Sequence, residues 1–218
     1  MRFVEDAERA VLDAAKAMLR KGLVEGTAGN LSARREDGAI VITPSSVDYE
    51  DMALDDLVVV DLDGQVLSAK DGRSPSSEKA LHLACYKEFD DVGAVIHSHP
   101  VHATMFAVTR LPITACIDEF AIYVGGDVRC ADYAPSGSEE MGVAVVEALQ
   151  GRGAALIANH GMVAVGPSPA KALHITGLVE RSAQIVWGAQ QLGPLHPLPD
   201  DVNRRFADIY GYLRQHPM

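Results

Sequence analysis

Gly93-Ala94-Val95-Ile96-His97-Ser98-His99-Pro100 is the stretch around which this chain is organised. An apolar run leads into two histidines one residue apart, and a proline closes it. Alternate side chains of a strand share a face, so His97 and His99 point one way and Ser98 the other. Two imidazoles at the mouth of a buried strand make half of a zinc-type site, which takes three or four N, O or S ligands. The alternative is two histidines at a polar strand end, so a third ligand has to come from elsewhere in the chain.

Downstream, Ala154–Ala158 reads as a short apolar strand, Asn159-His160-Gly161 as a tight turn and Met162–Val165 as the returning partner. His160 therefore sits where side chains reach into a cleft. Alone it reads as a surface histidine; with His97 and His99 it is the natural third ligand.

Upstream, Val4, Ala7, Val11, Ala14 and Met18 recur at three- and four-residue steps and predict a helix over residues 4–21, with Gly22 as its stop. Glu25-Gly26-Thr27-Ala28-Gly29-Asn30-Leu31-Ser32 follows, a loop of small residues and neutral hydrogen-bonding groups that suits close approach of a ligand or a plain helix-to-strand connection. Asp37-Gly38 and Asp63-Gly64 mark two hairpins, Leu31–Arg35 with Ala39–Thr43 and Leu57–Leu62 with Val66–Leu67. Thr43-Pro44-Ser45-Ser46 ends a strand in a second hydroxyl-rich loop. Ser74-Pro75-Ser76-Ser77-Glu78 opens a helix to about Phe89, with Ser76 as N-cap and Glu78 in the first turn. Helices are also predicted near Val101–Val108, Glu139–Leu149 (capped by Ser138), Pro169–Leu192 and Asp201–Arg214, with a short strand near Val128–Cys130. Leu111 to Gly126 reads as irregular, and His102 is given no ligand role.

The chain has 218 residues, 48% apolar and 22% charged, with a formal net charge of -11. That size suits one sizeable domain or at most two small ones. The acidic balance excludes nucleic acid and anionic membranes as partners, because no basic stripe exists to neutralise phosphates. Three cysteines without a C-x-x-C pattern, Cys85, Cys116 and Cys130, read as free thiols in a reducing compartment. With acids at the N-terminus and no apolar run near ~18 residues, the expected location is the cytoplasm. Hairpins dominate the strand pattern, which predicts a largely antiparallel sheet with helices covering both faces.

Five motifs in register, Gly26-Thr27-Ala28-Gly29-Asn30-Leu31-Ser32, Thr43-Pro44-Ser45-Ser46, Pro75-Ser76-Ser77-Glu78, His97-Ser98-His99 and Asn159-His160-Gly161, resemble the class II aldolase/adducin family, specifically its L-fuculose-1-phosphate aldolase type. The resemblance runs over residues 5–213. It implies one domain over 1–218 with a three-layer α/β/α fold about a central, mainly antiparallel sheet, and a homotetramer with active sites between subunits. It implies a zinc ion, or another divalent transition metal, on His97, His99 and His160. Thr27, Gly29, Asn30, Ser45, Ser46, Ser76 and Ser77 fall on the family's phosphate-binding loops, and Glu78 on its catalytic acid/base.

The implied reaction is reversible cleavage of a ketose 1-phosphate, L-fuculose 1-phosphate or a 5-deoxypentulose 1-phosphate, to dihydroxyacetone phosphate and a short aldehyde. Zinc can act there as the Lewis acid that a lysine-free aldolase needs, and Glu78 as the proton carrier. L-ribulose-5-phosphate 4-epimerases resemble the chain too, but carry an aspartate metal ligand near the position of Glu78, so a 4-epimerase or dehydratase is the second reading. One family tyrosine, supplied by the adjacent subunit, has no match: the stretch reads Ile117-Asp118-Glu119-Phe120, with Tyr123 nearby. A second, C-terminal one matches Tyr210, which the resemblance makes a candidate proton donor; the alternative is a ring packing the last helix.

Overall fold

The computed structural model describes residues 2–216, with side chains from Ala7 onward, so Val4 of the first helical stripe lies outside the described side chains. Eight strands form one sheet: β1 (Asn30–Arg34), β2 (Ile40–Ile42), β3 (Val58–Val60), β4 (Val66–Ser68), β5 (Ala94–Ser98), β6 (Cys130–Ala131), β7 (Ala154–Ile157) and β8 (Gly161–Gly166). Their order across the sheet is β4-β3-β2-β1-β5-β8-β7-β6, antiparallel except for the parallel β6–β7 pair. The helices are α1 (Arg2–Arg20), α2 (Lys79–Glu88), α3 (Val101–Thr109), α4 (Asp118–Val124), α5 (Glu139–Leu149), α6 (Pro169–Leu192) and α7 (Asp200–Gln215).

Alternation along the strands sorts the core into two layers. On one face Val95, Val163, Val165, Ala155 and Ile157 pack with Leu81, Cys85 and Tyr86 of α2 and Met141, Val145 and Leu149 of α5. On the other, Leu31, Ala33, Ala94 and Ile96 meet α1, while Ala154, Leu156, Met162 and Ala164 meet α3, α4 and α6. The fold is therefore helix, sheet, helix, as the hairpin pattern predicts. No helix among the described residues is long and apolar enough to cross a membrane.

The turns follow local chemistry. Gly38 and Gly64 adopt left-handed backbone in the two Asp-Gly hairpins, and Ser138 accepts the Met141 amide as the N-cap of α5. Two expectations need correction. The second helix begins at Lys79, with Glu78 rather than Ser76 in the N-cap position. The cause lies in the preceding backbone: Pro75 bridges Pro44, and the Ser76 amide donates to the Thr43 carbonyl, so this segment is held extended. The Ser76 hydroxyl still accepts the Glu78 amide at 3.2 Å. The other correction concerns Leu111–Gly126, which contains α4. Its N-cap, Ile117, offers no side-chain bond, and Phe120, Ala121 and Val124 are buried. Packing, rather than any capping signal, makes this short helix.

Candidate functional site

Register places the histidines. His97 shares a face with Val95 and points toward α2 and α5, while Ser98 points to the opposite layer, its hydroxyl buried without a partner among the described residues. The β7–β8 turn brings His160 up beside them. The three rings lie 4.6, 4.7 and 5.0 Å apart between centroids, and their nearest ligand atoms all fall within 4.8 Å of one another. Gly161 permits this closeness: a Cβ there would stand 2.5 Å from both His99 Cδ2 and the Ser98 carbonyl oxygen. Asn159 takes a left-handed backbone, φ 57°, to complete the turn.

The donor set fits a divalent metal. His97 Nδ1 lies 2.9 Å from the Met162 carbonyl oxygen, so Nδ1–H donates there and Nε2 is left as an inward-facing lone pair. That nitrogen stands 2.8 Å from His99 Nε2. Only a shared proton or a cation makes such a contact attractive; two nitrogens on one tetrahedral zinc stand roughly 3.3 Å apart. Burial holds His97 neutral, pushing its pKa down to about 4 against the pull of Glu78, and lowers that of His99 as well. Neutral imidazoles are the form that binds metal.

Glu78 lies over this cluster. Its Oε2 is 3.2 Å from His97 Nε2 and its Oε1 3.4 Å from His160 Nε2. Oε2 accepts from Asn30 Nδ2 at 2.8 Å and Oε1 from the Ser136 hydroxyl at 2.7 Å. Burial works against its charge, but the neighbouring histidines and these two donors outweigh it and hold the carboxyl below the usual range. A hydrogen-bonded carboxylate beside three imidazoles can carry a proton to or from a group held at the cluster.

The hydroxyl-rich loops gather at the same end of the sheet. Gly29, at φ 75°, packs against the His97 carbonyl oxygen, 2.7 Å from where a Cβ would stand. The 43–46 and 74–77 loops are joined by the Pro44–Pro75 bridge and by the Ser45 amide donating to the Ser74 carbonyl. Thr27, Ser46 and Ser77 are exposed, Ser45 half-buried and Ser76 buried. The Asn30 amide is engaged by Glu78 on one side and by His82 on the other.

Tyr210 is not with this group. Its ring packs over Gly125 and its hydroxyl lies beside Gly153, at the head of β7, whereas His160 follows the tail of that strand. The two are thus separated by the length of a four-residue strand, about 13 Å. Tyr210 is buried beside Arg214, and burial raises its pKa. Asp118, Glu119 and Tyr123, in the stretch without a matching tyrosine, lie exposed on α4. His102 turns away to Glu180, whose carboxylate also accepts the His102 and Ala103 amides at the start of α3.

Two contributors escape a reading of the sequence. Ser136 sits in a turn that reads as a connector, yet donates to Glu78. His82 reads as one more residue of α2, yet is fully buried behind Asn30. The second left a signal: Glu78, His82 and Tyr86 recur every four residues, one helical stripe of polar groups in a helix whose other inward residues are apolar.

Residues 9–187 match the family model described as the class II aldolase and adducin N-terminal domain. The chain is 34% identical over 204 residues to a 5-deoxy-D-ribulose 1-phosphate aldolase of Bacillus thuringiensis serovar kurstaki, covering 92% of this chain and 93% of that protein. It is 35% identical over 223 residues to an L-ribulose-5-phosphate 4-epimerase of Salmonella paratyphi C, covering 95% and 96%. Among solved structures, an L-fuculose 1-phosphate aldolase superposes with a TM-score of 0.89 at 35% identity, covering 94% of this chain and 96% of that one. With this fold, this histidine cluster and these relatives, the chain belongs to the class II aldolase/adducin family.

Proposed function

We propose that this protein is a zinc-dependent class II aldolase that reversibly cleaves a ketose 1-phosphate, L-fuculose 1-phosphate or a 5-deoxypentulose 1-phosphate, to dihydroxyacetone phosphate and a short aldehyde. The observation that carries the reading is a single carboxylate, Glu78, held over three converging imidazoles within hydrogen-bond range of two of them. In this reading the 218 residues act as one domain, and His97, His99 and His160 hold the metal. When bound, the metal supplies Lewis acidity toward oxygens of the sugar. Glu78 takes a proton from, or returns it to, the carbon that becomes nucleophilic, and the donors from Asn30 and Ser136 keep its two oxygens aimed.

The phosphate goes to the hydroxyls of Thr27, Ser45, Ser46, Ser76 and Ser77 and to the Gly29 amide, while the Asn30 side chain, engaged by Glu78 and His82, orients the carboxylate instead. Neutral donors suit an acidic protein, because they bind an anion without a basic patch. The chain works as a homotetramer with sites between neighbouring copies. Tyr210, buried at the far end of the sheet in its own chain, has a part only if it reaches a neighbouring copy's site.

The test is a screen of aldehyde acceptors with dihydroxyacetone phosphate, with zinc content measured on the same sample. Aldol product that vanishes on chelation and returns with zinc supports the reading; full activity after verified metal removal rejects it. The similarity to a 4-epimerase favours one other outcome, epimerisation of a pentulose 5-phosphate. NMR of the products separates the two, because the epimer forms without triose phosphate.

A further inference from the structure

Behind Glu78 and Asn30 run three buried polar groups, His82, Ser32 and Tyr86, that the proposed reaction does not use. Tyr86 Oη lies 2.8 Å from Ser32 Oγ, Ser32 Oγ 2.6 Å from His82 Nδ1, and His82 Nε2 2.5 Å from Asn30 Oδ1. Asn30 Nδ2 then reaches Glu78 Oε2 at 2.8 Å. Asn30, Ser32, His82 and Tyr86 are each at most 4% exposed. Two stripes build the chain. Asn30 and Ser32 alternate with Leu31 and Ala33 on β1, so they face α2 while their apolar neighbours face α1. Glu78, His82 and Tyr86 lie every fourth residue along the start and inner face of α2. A two-residue strand step, about 6.6 Å, nearly equals a four-residue helical step, about 6 Å, so the stripes stay in register.

The proton positions follow link by link. The ionised carboxylate of Glu78 only accepts, so the Asn30 amide nitrogen faces it and the amide oxygen faces His82. An amide oxygen cannot donate, so His82 must carry its proton on Nε2. A fully buried, neutral imidazole then has a bare Nδ1, which takes the Ser32 proton. Ser32, its one proton spent, accepts from Tyr86. Every donor in the chain points toward Glu78, the arrangement in which successive bonds polarise one another.

We infer that His82 is a positioning residue: by fixing the orientation of the Asn30 amide it keeps a donor aimed at Glu78 and holds that carboxylate over the histidine cluster. A neutral amide can turn either way, and with its oxygen toward Glu78 it would repel the carboxylate. With its proton on Nε2, His82 accepts no bond there and admits only the orientation that turns the amide nitrogen to Glu78. This rests on the acid/base role proposed for Glu78, but the bond network itself does not.

The test is a double-mutant cycle on the zinc-loaded enzyme, with His82→Phe, Asn30→Ala and the double variant, and with His82→Gln, whose amide can replace both ring nitrogens. Losing one hydrogen bond to a charged group predicts a fall in kcat of about ten- to a hundredfold for His82→Phe, with little change in KM or zinc content and partial recovery in His82→Gln. The double variant is expected to be no slower than Asn30→Ala alone. Multiplicative losses, or wild-type kcat in His82→Phe, overturn the inference. A second measurement needs neither turnover nor a folded variant: 15N NMR of the wild-type protein must find His82 protonated on Nε2, and protonation on Nδ1 overturns it. A wild-type protein that cleaves no sugar phosphate would reject the proposed function and leave this spectroscopic result to decide the positioning role.

Discussion

The two ends of β5 solve opposite problems with similar residue types. At the tail, His97, His99, His160 and Glu78 crowd together, their remaining bonding capacity turned toward one point. At the head, Asp91 and Arg214 satisfy each other through two bonds, and Tyr210 fills the space beside them. A cavity of about 100 Å³ near that end is lined mainly by apolar groups, with Tyr123, His174 and Tyr210 at its wall. Ionisable groups do not make a site; ionisable groups whose nearest partners are of the wrong kind do. Three clustered imidazoles leave lone pairs that suit a cation, whereas an aspartate beside an arginine is already answered.

The sharpest way to break this contrast is at the tail. His97→Ala should remove the metal and lower turnover by on the order of a thousandfold or more, since Lewis-acid stabilisation is worth several kcal/mol; metal analysis with steady-state kinetics checks it. Glu78→Gln should keep the metal and lose about a hundred- to ten-thousandfold in kcat, the range for a general acid or base. Near-normal turnover would remove Glu78 from the chemistry.

Structure at the same end is also tightly constrained. Gly161→Ala sets a Cβ against the Ser98 carbonyl oxygen, which is backbone and cannot step aside. The expected cost is about 2–3 kcal/mol, read by chemical denaturation. His82 adds a pH dependence. Burial takes its folded pKa down to about 3; His97, once it protonates in acid, pushes the same way and Glu78 pulls the other. The unfolded chain therefore binds a proton near pH 6.5 that the folded chain refuses. Its contribution is fully present above that pH and is lost on acidification toward the folded pKa, at about 1.4 kcal/mol per pH unit. Denaturation curves on the metal-free protein from pH 7 to 5 should approach this slope on top of the matching contributions of His97 and His99, and His82→Phe should lower the total by about one proton's worth.

At the head, the smallest effect is expected. Tyr210→Phe should cost about 1 kcal/mol of stability through a lost buried hydroxyl contact and leave kcat within about twofold. A tenfold loss of kcat would mean that the hydroxyl reaches a neighbouring copy's site.

Much of the site was legible before any fold was known. Period-two alternation puts His97 and His99 on one face whatever the surroundings, and a tight Asn-His-Gly turn must present His160. Glu78 and the hydroxyl loops carried their signal in motifs. The start of α2 is beyond a local reading, because Ser76 has every property of an N-cap and only the pairing of its amide with Thr43 keeps it out of the helix. The helix over Asp118–Val124 is not legible in the sequence, because no capping residue announces it. Tyr210 matched a motif and folded elsewhere in its own chain.

The sequence by itself determined what is periodic or local: the layered architecture, the hairpins, the pair of histidines on a shared face. Tertiary structure alone decided which distant groups meet, since His82 and Asn30 are 52 residues apart and nothing local links them. The reason is physical. A side chain's direction follows from the backbone within a few residues, but its partner, and with it its protonation and its role, is chosen by how the layers pack.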